Sequence, residues 1–389
     1  MRGKKILNFS IIAISFTVLM LAFVAVTPSV FAAPCFITIT APTSIQATVD
    51  ANPGKVICLD DSGGVFSQQV VFDAADSGTT LTADDGDSPV LDGTGVGAGT
   101  TVSAITILGG VSGVIIEGLE IRNYDGDLGV NDRSSGIVAA FGTTSDITIR
   151  NNDIHSNFWN GILVFSEGDF VHNKWKVNNN EVDDNGFVGI ELTNTGGSFV
   201  TNNLVDDNVF AGIVIQARNG IASSGLFTHP GAVHVVGNTV SDSDRCIYIL
   251  SLASGPLDPF DPIVGAQSSL SGVQVKNNDI SDCREGIRLL GFSGGTLSNT
   301  KIHSNTIVTN TDTSAIGIRV TTLGAGGLTE KSDIHHNDVT SAGDFAVTLE
   351  AGTDQNKVRQ NTLLATNSGD TGNDAVDDSG TNNQIFKNK

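Results

Sequence analysis

Four side chains able to grip an anion or move a proton hold the same place in a recurring phrase of this sequence. Glu191 follows Gly189-Ile190, Tyr248 follows Cys246-Ile247, Arg288 follows Gly286-Ile287 and Arg319 follows Gly317-Ile318. Leu163, Val214 and Thr348 hold that place in the other copies. If the phrase is a strand, two-residue alternation turns this position outward, and stacked copies bring Tyr248, Arg288 and Arg319 about 5 Å apart. Two guanidinium forks beside a phenol suit a carboxylate. The alternative is a solvated strand face, polar because its outside must be.

Other columns carry other chemistry. Ahead of the Gly-Ile phrase lies an acidic stretch containing Asp183-Asp184, Asp206-Asp207, Asp242, Asp244, Asp282 and Glu285. Carboxylates one strand apart repel unless a cation sits between them, which makes Asp207, Asp242, Asp244 and Asp282 candidate Ca2+ ligands. Asp-Asn pairs also build turns, and that alternative accounts for Asp184-Asn185 and Asp207-Asn208. Trp159, Phe187 and Phe210 each stand two places before a Gly. They form either a sugar platform outside or an aromatic stack inside. The two phenylalanines are read as interior, and Phe158-Trp159 as the sugar-binding pair. Arg150, Lys276, His303, His335 and Arg359 form a basic column, flanked by Lys176, His234, Lys301 and Lys357. That column is either a track for a polyanion or is paired locally with acids such as Asp153 and Asp279. A copper site has little support: both methionines, Met1 and Met20, lie at the N-terminus, and alternation aims His335 and His336 in opposite directions. No cofactor is required by any of these columns, with Ca2+ the one metal they invite.

The elements that position these residues are repeats. The phrase apolar-x-x-Asn-x-apolar, a short polar stretch, then Gly-Ile-x-apolar recurs most clearly over residues 113–380. Its anchors are Asn152, Asn180, Asn203, Asn238, Asn278, Asn305, Asn337 and Asn361, spaced 23 to 40 residues apart. Constant strands joined by loops of changing length are the mark of a solenoid, here all-β with about 11 coils. Asn tolerates the left-handed backbone of a tight turn, and stacked Asn side chains can hydrogen-bond as a ladder. Strands are also read at Lys55–Leu59, Val70–Phe72, Thr80–Thr82, Val90–Gly93 and Ile105–Ile107. A short helix within 43–53, stopped by Pro53-Gly54, is expected to cap the open end of the stack. The segments 219–231 and 251–272 are long loops.

Composition agrees. Gly is frequent at 45, Pro scarce at 9, and charged residues make up only 16%. That suits short strands and tight turns rather than helices. With 42 acidic against 21 basic residues, the formal net charge is −21, which argues against nucleic acid and anionic lipid as partners. Arg2, Lys4 and Lys5 precede an apolar run and then Val30-Phe31-Ala32, so residues 1–32 read as an export signal, cleaved after Ala32 or, as the length of the run also allows, retained as an anchor, with residues 33–389 as one solenoid domain. No second apolar segment follows, so no further membrane contact is expected. The four cysteines of an exported chain are expected to pair as Cys35–Cys58 and Cys246–Cys283, the latter on adjacent coils.

Ser44-Ile45-Gln46 through Pro53-Gly54, Leu91-Asp92-Gly93 and Gly118-Leu119-Glu120-Ile121-Arg122-Asn123 resemble the opening of pectin-lyase-like proteins, and the later copies resemble generic parallel β-helix repeats. The resemblance covers nearly all of the chain after the export signal. It implies a single-stranded right-handed parallel β-helix whose Gly-Ile strands floor a groove, with the acidic stretch as one wall. In that fold the resemblance would make Arg288 or Arg319 the base of a uronan lyase, assisted by Tyr248 and Glu191, with calcium bridging enzyme and substrate acids. Family motifs argue otherwise: no Trp-Ile-Asp-His, Arg-x-Pro-x-x-Arg or Tyr-Gly-Phe-Asp-Pro-His segment occurs. Asn310-Thr311-Asp312 lacks the His-Gly and Arg-Ile-Lys segments that accompany it in polygalacturonases. Two readings result. One is a secreted or cell-surface β-helix, expected as a monomer, that recognises polysaccharide or serves as a structural or adhesive module. The other is a Ca2+-assisted lyase or epimerase acting on an acidic glycan.

Overall fold

A computed structural model describes residues 34–389 except 98, 127–132, 141, 167–169, 219–226, 229–230 and 253–267. Residues 1–32, expected from sequence to be an export signal, and most of the loops 219–231 and 251–272 lie outside the described residues. Cys35–Lys389 forms one compact unit. Its chain winds through coils of three short strands, and each strand pairs in parallel with its counterpart one coil away. Among the described residues the first sheet has 13 strands and the second and third have 11 each. The fold is the all-β parallel solenoid that the repeats predict.

Eight strands of the third sheet carry the candidate chemistry: β1 (Ser135–Ala140), β2 (Ile162–Phe165), β3 (Val188–Thr193), β4 (Ala211–Arg218), β5 (Arg245–Leu252), β6 (Glu285–Phe292), β7 (Ile316–Leu323) and β8 (Val347–Leu349). Their inward residues Ile137, Ile162, Ile190, Ile213, Ile247, Ile287, Ile318 and Val347 pair in register and are fully buried. A second file from Ile149 to Val358 and a third from Ile154 to Leu363 complete the core. Each buried Ile or Val contributes roughly 1.5–3 kcal/mol. One coil alone cannot offset the entropy of ordering its residues, so stability comes from stacking.

The anchor asparagines form one continuous ladder. From Asn152 to Asn361 each Nδ2 donates to the next Asn Oδ1 at 2.9–3.0 Å, and Asn388 adds a further rung. The turn chemistry differs from the expectation. The left-handed residue is the one before each anchor: Asn151, Asn179, Asn202, Gly237, Asn277, Ser304, His336 and Gln360 have φ of 55–69°. That kink frees the next side chain to turn inward, where the amide satisfies backbone groups at a corner that strands cannot reach. Asn157, Asn185 and Asn208 form a second ladder at the next corner, with rungs of 3.1 and 3.0 Å. Gly161, Gly189, Gly212, Gly286 and Gly317 have a steric reason instead. A Cβ on Gly161 would lie 2.5 Å from Val182 Cγ1 and 2.8 Å from the Gly189 carbonyl.

The N-terminal end is closed by α1 (Ile45–Ala51). Ser44 caps it by accepting from Ala47 N–H, and Ile45 and Val49 bury against the first coil. Gln46 then imitates a strand. Its Nε2 donates to the Val71 carbonyl at 2.9 Å and its Oε1 accepts from Val71 N–H at 2.6 Å, which satisfies the sheet edge. A strand absent from the sequence reading, Ile37–Thr40, covers the edge of Val56–Asp60. At the other end an antiparallel turn, Asp370–Thr371 on Thr362–Ala365, flanks the second sheet, and Asn373 accepts the last rung from Asn388. Disulfides join Cys35 to Cys58 and Cys246 to Cys283, each pair with Cα atoms 5.7 Å apart.

Candidate functional site

The outward column of the third sheet runs Leu163, Glu191, Val214, Tyr248, Arg288, Arg319, Thr348 on successive coils, as the phrase predicts. Tyr248 divides this face into two chemically different parts. Coils β1 to β5 carry a largely apolar cleft; coils β5 to β8 carry a lattice of ion pairs.

The cleft has a volume of about 570 Å³. Val138, Leu163, Val214, Phe165, Leu250 and Leu252 supply its apolar surface. Trp159, Phe187 and Phe210 form one wall as a continuous stack, with ring centroids 4.3 Å and 4.7 Å apart and planes 23° and 12° from parallel. Their backbones fix this register, since Phe187 N–H donates to the Trp159 carbonyl and Phe210 N–H to the Phe187 carbonyl. The phenylalanines are therefore not interior, which corrects the sequence reading. The corner after the inward Asn185 and Asn208 breaks the two-residue alternation, and Phe187 and Phe210 join Val188, Ala211, Val214 and Tyr248 in an outer apolar cluster. Phe158 is half-buried and does not line the cleft.

The charged groups of the cleft are Glu191, Arg133 and Arg218. Glu191 is buried and accepts from Asn160 Nδ2 at 3.0 Å and Thr193 Oγ1 at 3.1 Å. Burial raises its pKa above the ordinary range, opposed by those two donors and by the charges of Arg218 and Arg133. Arg133 lies over the Trp159 ring at 5.9 Å and Arg218 over Phe165 at 5.0 Å. Among the described lining residues, Glu191 is the sole carboxylate. Phe165, Gln216 and Arg218 were missed from sequence; continuing the outward alternation two and four places past Leu163 and Val214 would have reached them.

Neither Arg288 nor Arg319 lines the cleft. Glu285, almost wholly buried, takes Arg245 Nε at 3.1 Å, Arg288 Nη1 at 3.2 Å and Arg319 Nη1 at 2.7 Å. Arg319 also reaches Glu350 at 2.5 Å. Tyr248 sits between Arg245 and Arg288, whose guanidinium carbons lie 5.5 Å and 5.4 Å from its ring. Burial pushes its phenol up to about 12. The arginine column is thus paired with carboxylates of the protein rather than forming a solvated strand face.

The acidic residues separate. Asp207, Asp242 and Asp282 occupy exposed turn positions with φ of 48°, 48° and 56°. Burial and the neighbouring Asp206, Asp282 and Asp207 raise the Asp242 pKa. Asp244 is elsewhere: it holds Arg284 Nε at 2.7 Å and Arg245 Nη1 at 2.6 Å, and despite burial these charges keep its carboxyl below the usual range. Asp60, Asp61 and Asp87 in the first coils do converge, a grouping the sequence reading did not notice.

On the first sheet Lys276, His303, His335 and Arg359 occupy consecutive coils, while Arg150 stands several coils away. Partners are Glu117 for Arg150 and Asp333 for Arg359, at 2.7 and 2.8 Å, rather than Asp153 and Asp279. His335 and His336 meet, with Nδ1 atoms 2.8 Å apart, because His336 takes the left-handed turn position that alternation ignores. Among the described residues no helix is long and apolar enough to cross a membrane.

Residues 40–220 and 103–258, together more than half of the chain, match the family described as "Right handed beta helix region". No curated protein matches the sequence. Solved structures similar to the chain include the A-module of a mannuronan C-5 epimerase from Azotobacter vinelandii, 15% identical over 88% of this chain and 93% of that one, with a TM-score of 0.53. The Dettilon tailspike protein is 15% identical over 88% of this chain and 68% of that one, TM-score 0.57. A family 28 exopolygalacturonase from Yersinia enterocolitica is 11% identical over 92% and 79%, TM-score 0.55. At such identities the likeness speaks for the fold. The chain belongs to the right-handed β-helix family.

Proposed function

We propose that this protein is an exported β-helix that recognises polysaccharide through the cleft across β1 to β5. The observation that carries this reading is the Trp159–Phe187–Phe210 stack on the wall of an otherwise apolar groove. Sugar rings can pack their C–H surface against the ring edges that this stack turns to the groove, and flanking amides and hydroxyls such as Gln216 and Thr106 can meet their hydroxyls. The basic leader and two disulfides support an oxidising, extracellular setting. Fold relatives named for mannuronan and polygalacturonan add general support.

Binding fits the geometry better than hydrolysis or elimination. Glycoside hydrolysis ordinarily uses two carboxylates flanking one bond, and Glu191 has no such companion among the described lining residues. An eliminating arginine must meet its substrate, whereas Arg288 is held by Glu285, and Arg319 by Glu285 and Glu350. The test is an oligosaccharide array followed by titration calorimetry. Binding should appear with the intact chain and weaken tenfold or more in Trp159→Ala. Retained affinity in a folded Trp159→Ala protein would remove the aromatic wall from the reading.

A further inference from the structure

We propose that the cleft selects an uncharged stretch of glycan whose sugars present apolar substituents, such as acetyl or deoxy groups, and discriminates against uronates. This rests on the glycan-binding reading and names its substrate class. The argument begins with what a carboxylate would meet there. Over the floor it would lose water against Leu163, Val138, Val214 and Leu250, a cost met only by a dedicated cation.

The two cations of the lining are already engaged. Arg133 and Arg218 lie over aromatic rings, and both carry favourable charge interactions with Glu191. The arginines beyond Tyr248 are no substitute, since Arg245, Arg284, Arg288 and Arg319 each already hold a carboxylate of the protein. Glu191 itself would stand close to any acid lying on the floor.

An uncharged sugar meets complementary groups instead. Stacked face to face, the three rings turn their edges to the groove as an unbroken apolar strip across three coils, against which methyl or acetyl groups would pack. Glu191 keeps Asn160 and Thr193 as donors and is balanced in charge by Arg133 and Arg218, an arrangement that an uncharged sugar leaves undisturbed. Beside Glu191 and its two arginines, the polar lining is of amides and hydroxyls such as Gln69, Thr106 and Gln216, which pair with sugar hydroxyls without charge.

The experiment sorts an oligosaccharide array into uncharged acetylated or deoxy members, uncharged unmodified members and uronates. The best ligands are then titrated against the full chain. Expected is a preference of at least tenfold for the first class over uronates of the same length, a tenfold loss on chemical de-acetylation, and a similar loss in Phe187→Ala. Glu191→Gln, which removes the charge facing an acid on the floor, should narrow the preference over uronates severalfold. Uronates binding as well as or better than the uncharged class would overturn this inference and leave the glycan reading standing. Binding to no class would overturn both. Unchanged thermal unfolding of Phe187→Ala and Glu191→Gln separates lost recognition from lost folding.

Discussion

Replacing Asn203 by Ala tests whether the inner ladder holds coils together. Asn203 Oδ1 accepts from the backbone N–H and the Nδ2 of Asn180, each at 3.0 Å. Its Nδ2 donates to Asn238 Oδ1 at 2.9 Å and to the Val177 carbonyl at 3.0 Å. In Asn203→Ala, Asn180 Nδ2 keeps the Ile149 carbonyl and Asn238 Oδ1 keeps the N–H of residue 203. Asn180 N–H and the Val177 carbonyl lose the partner the ladder gave them. The Val177 carbonyl keeps its sheet bond from Thr201 N–H, so one stranded buried donor, Asn180 N–H, at roughly 1–3 kcal/mol predicts a loss of about 2 kcal/mol. Urea unfolding measures the total, and hydrogen exchange of Val177, Asn180 and Leu204 amides locates it. Asn202→Gly, at φ 55° on the exposed turn, is the control and should change stability by less than about 0.5 kcal/mol. Asn203→Asp adds a signature. Its carboxylate would face the Val177 carbonyl and Asn238 Oδ1, so its folded pKa rises above the unfolded ~3.9. Stability is then retained below about pH 4 and lost as pH climbs. A loss in Asn203→Ala below about 1 kcal/mol, equal to the Asn202→Gly change, would refute the ladder argument.

Glu285→Gln leaves Arg245, Arg288 and Arg319 without their shared buried charge and should cost about 3–5 kcal/mol by chemical denaturation, whereas breaking the half-exposed Arg359–Asp333 pair by Asp333→Asn should cost under about 1 kcal/mol. His172 gives the pH arm. Its Nδ1 accepts from Thr144 Oγ1 at 2.7 Å, Thr144 in turn accepts from Trp175 Nε1, and burial depresses the ring to about 4. A depressed histidine lends stability that is complete above its unfolded pKa near 6.5 and is lost as pH falls through about 4. Melting temperature should therefore fall over that window, and His172→Gln should flatten the decline, worth at most about 3 kcal/mol.

The parts of the molecule legible in its sequence are those fixed by local alternation. A period of two places Ile162, Ile190 and Ile213 inward and Leu163, Glu191 and Val214 outward without knowledge of any other coil. Alternation fails at corners, where one left-handed residue shifts the phase: hence His335 touching His336, and Phe187 and Phe210 outside rather than in. Asn157, Asn185 and Asn208 follow the first anchors by five residues each, so their ladder was readable as a second offset, but Asp-Asn turn chemistry hid it. Pairings across coils were beyond reach. Whether Arg319 faces substrate or Glu285 depends on a residue 34 positions away whose height in the stack is set by loop lengths. The cleft depends on the same thing, since it exists where bulky residues before β2, β3 and β4 rise beside small and aliphatic ones.

The Asn ladder also has a direction. Every rung donates toward the C-terminal coil and accepts from the N-terminal side, from Asn152 to the last acceptor, Asn373. Side-chain amides aligned head to tail polarise one another, and their dipoles add as peptide dipoles do along an α-helix. The interior of this solenoid thus carries an electrical axis, negative toward the cap helix and positive toward the last coil, independent of the acidic surface that surrounds it.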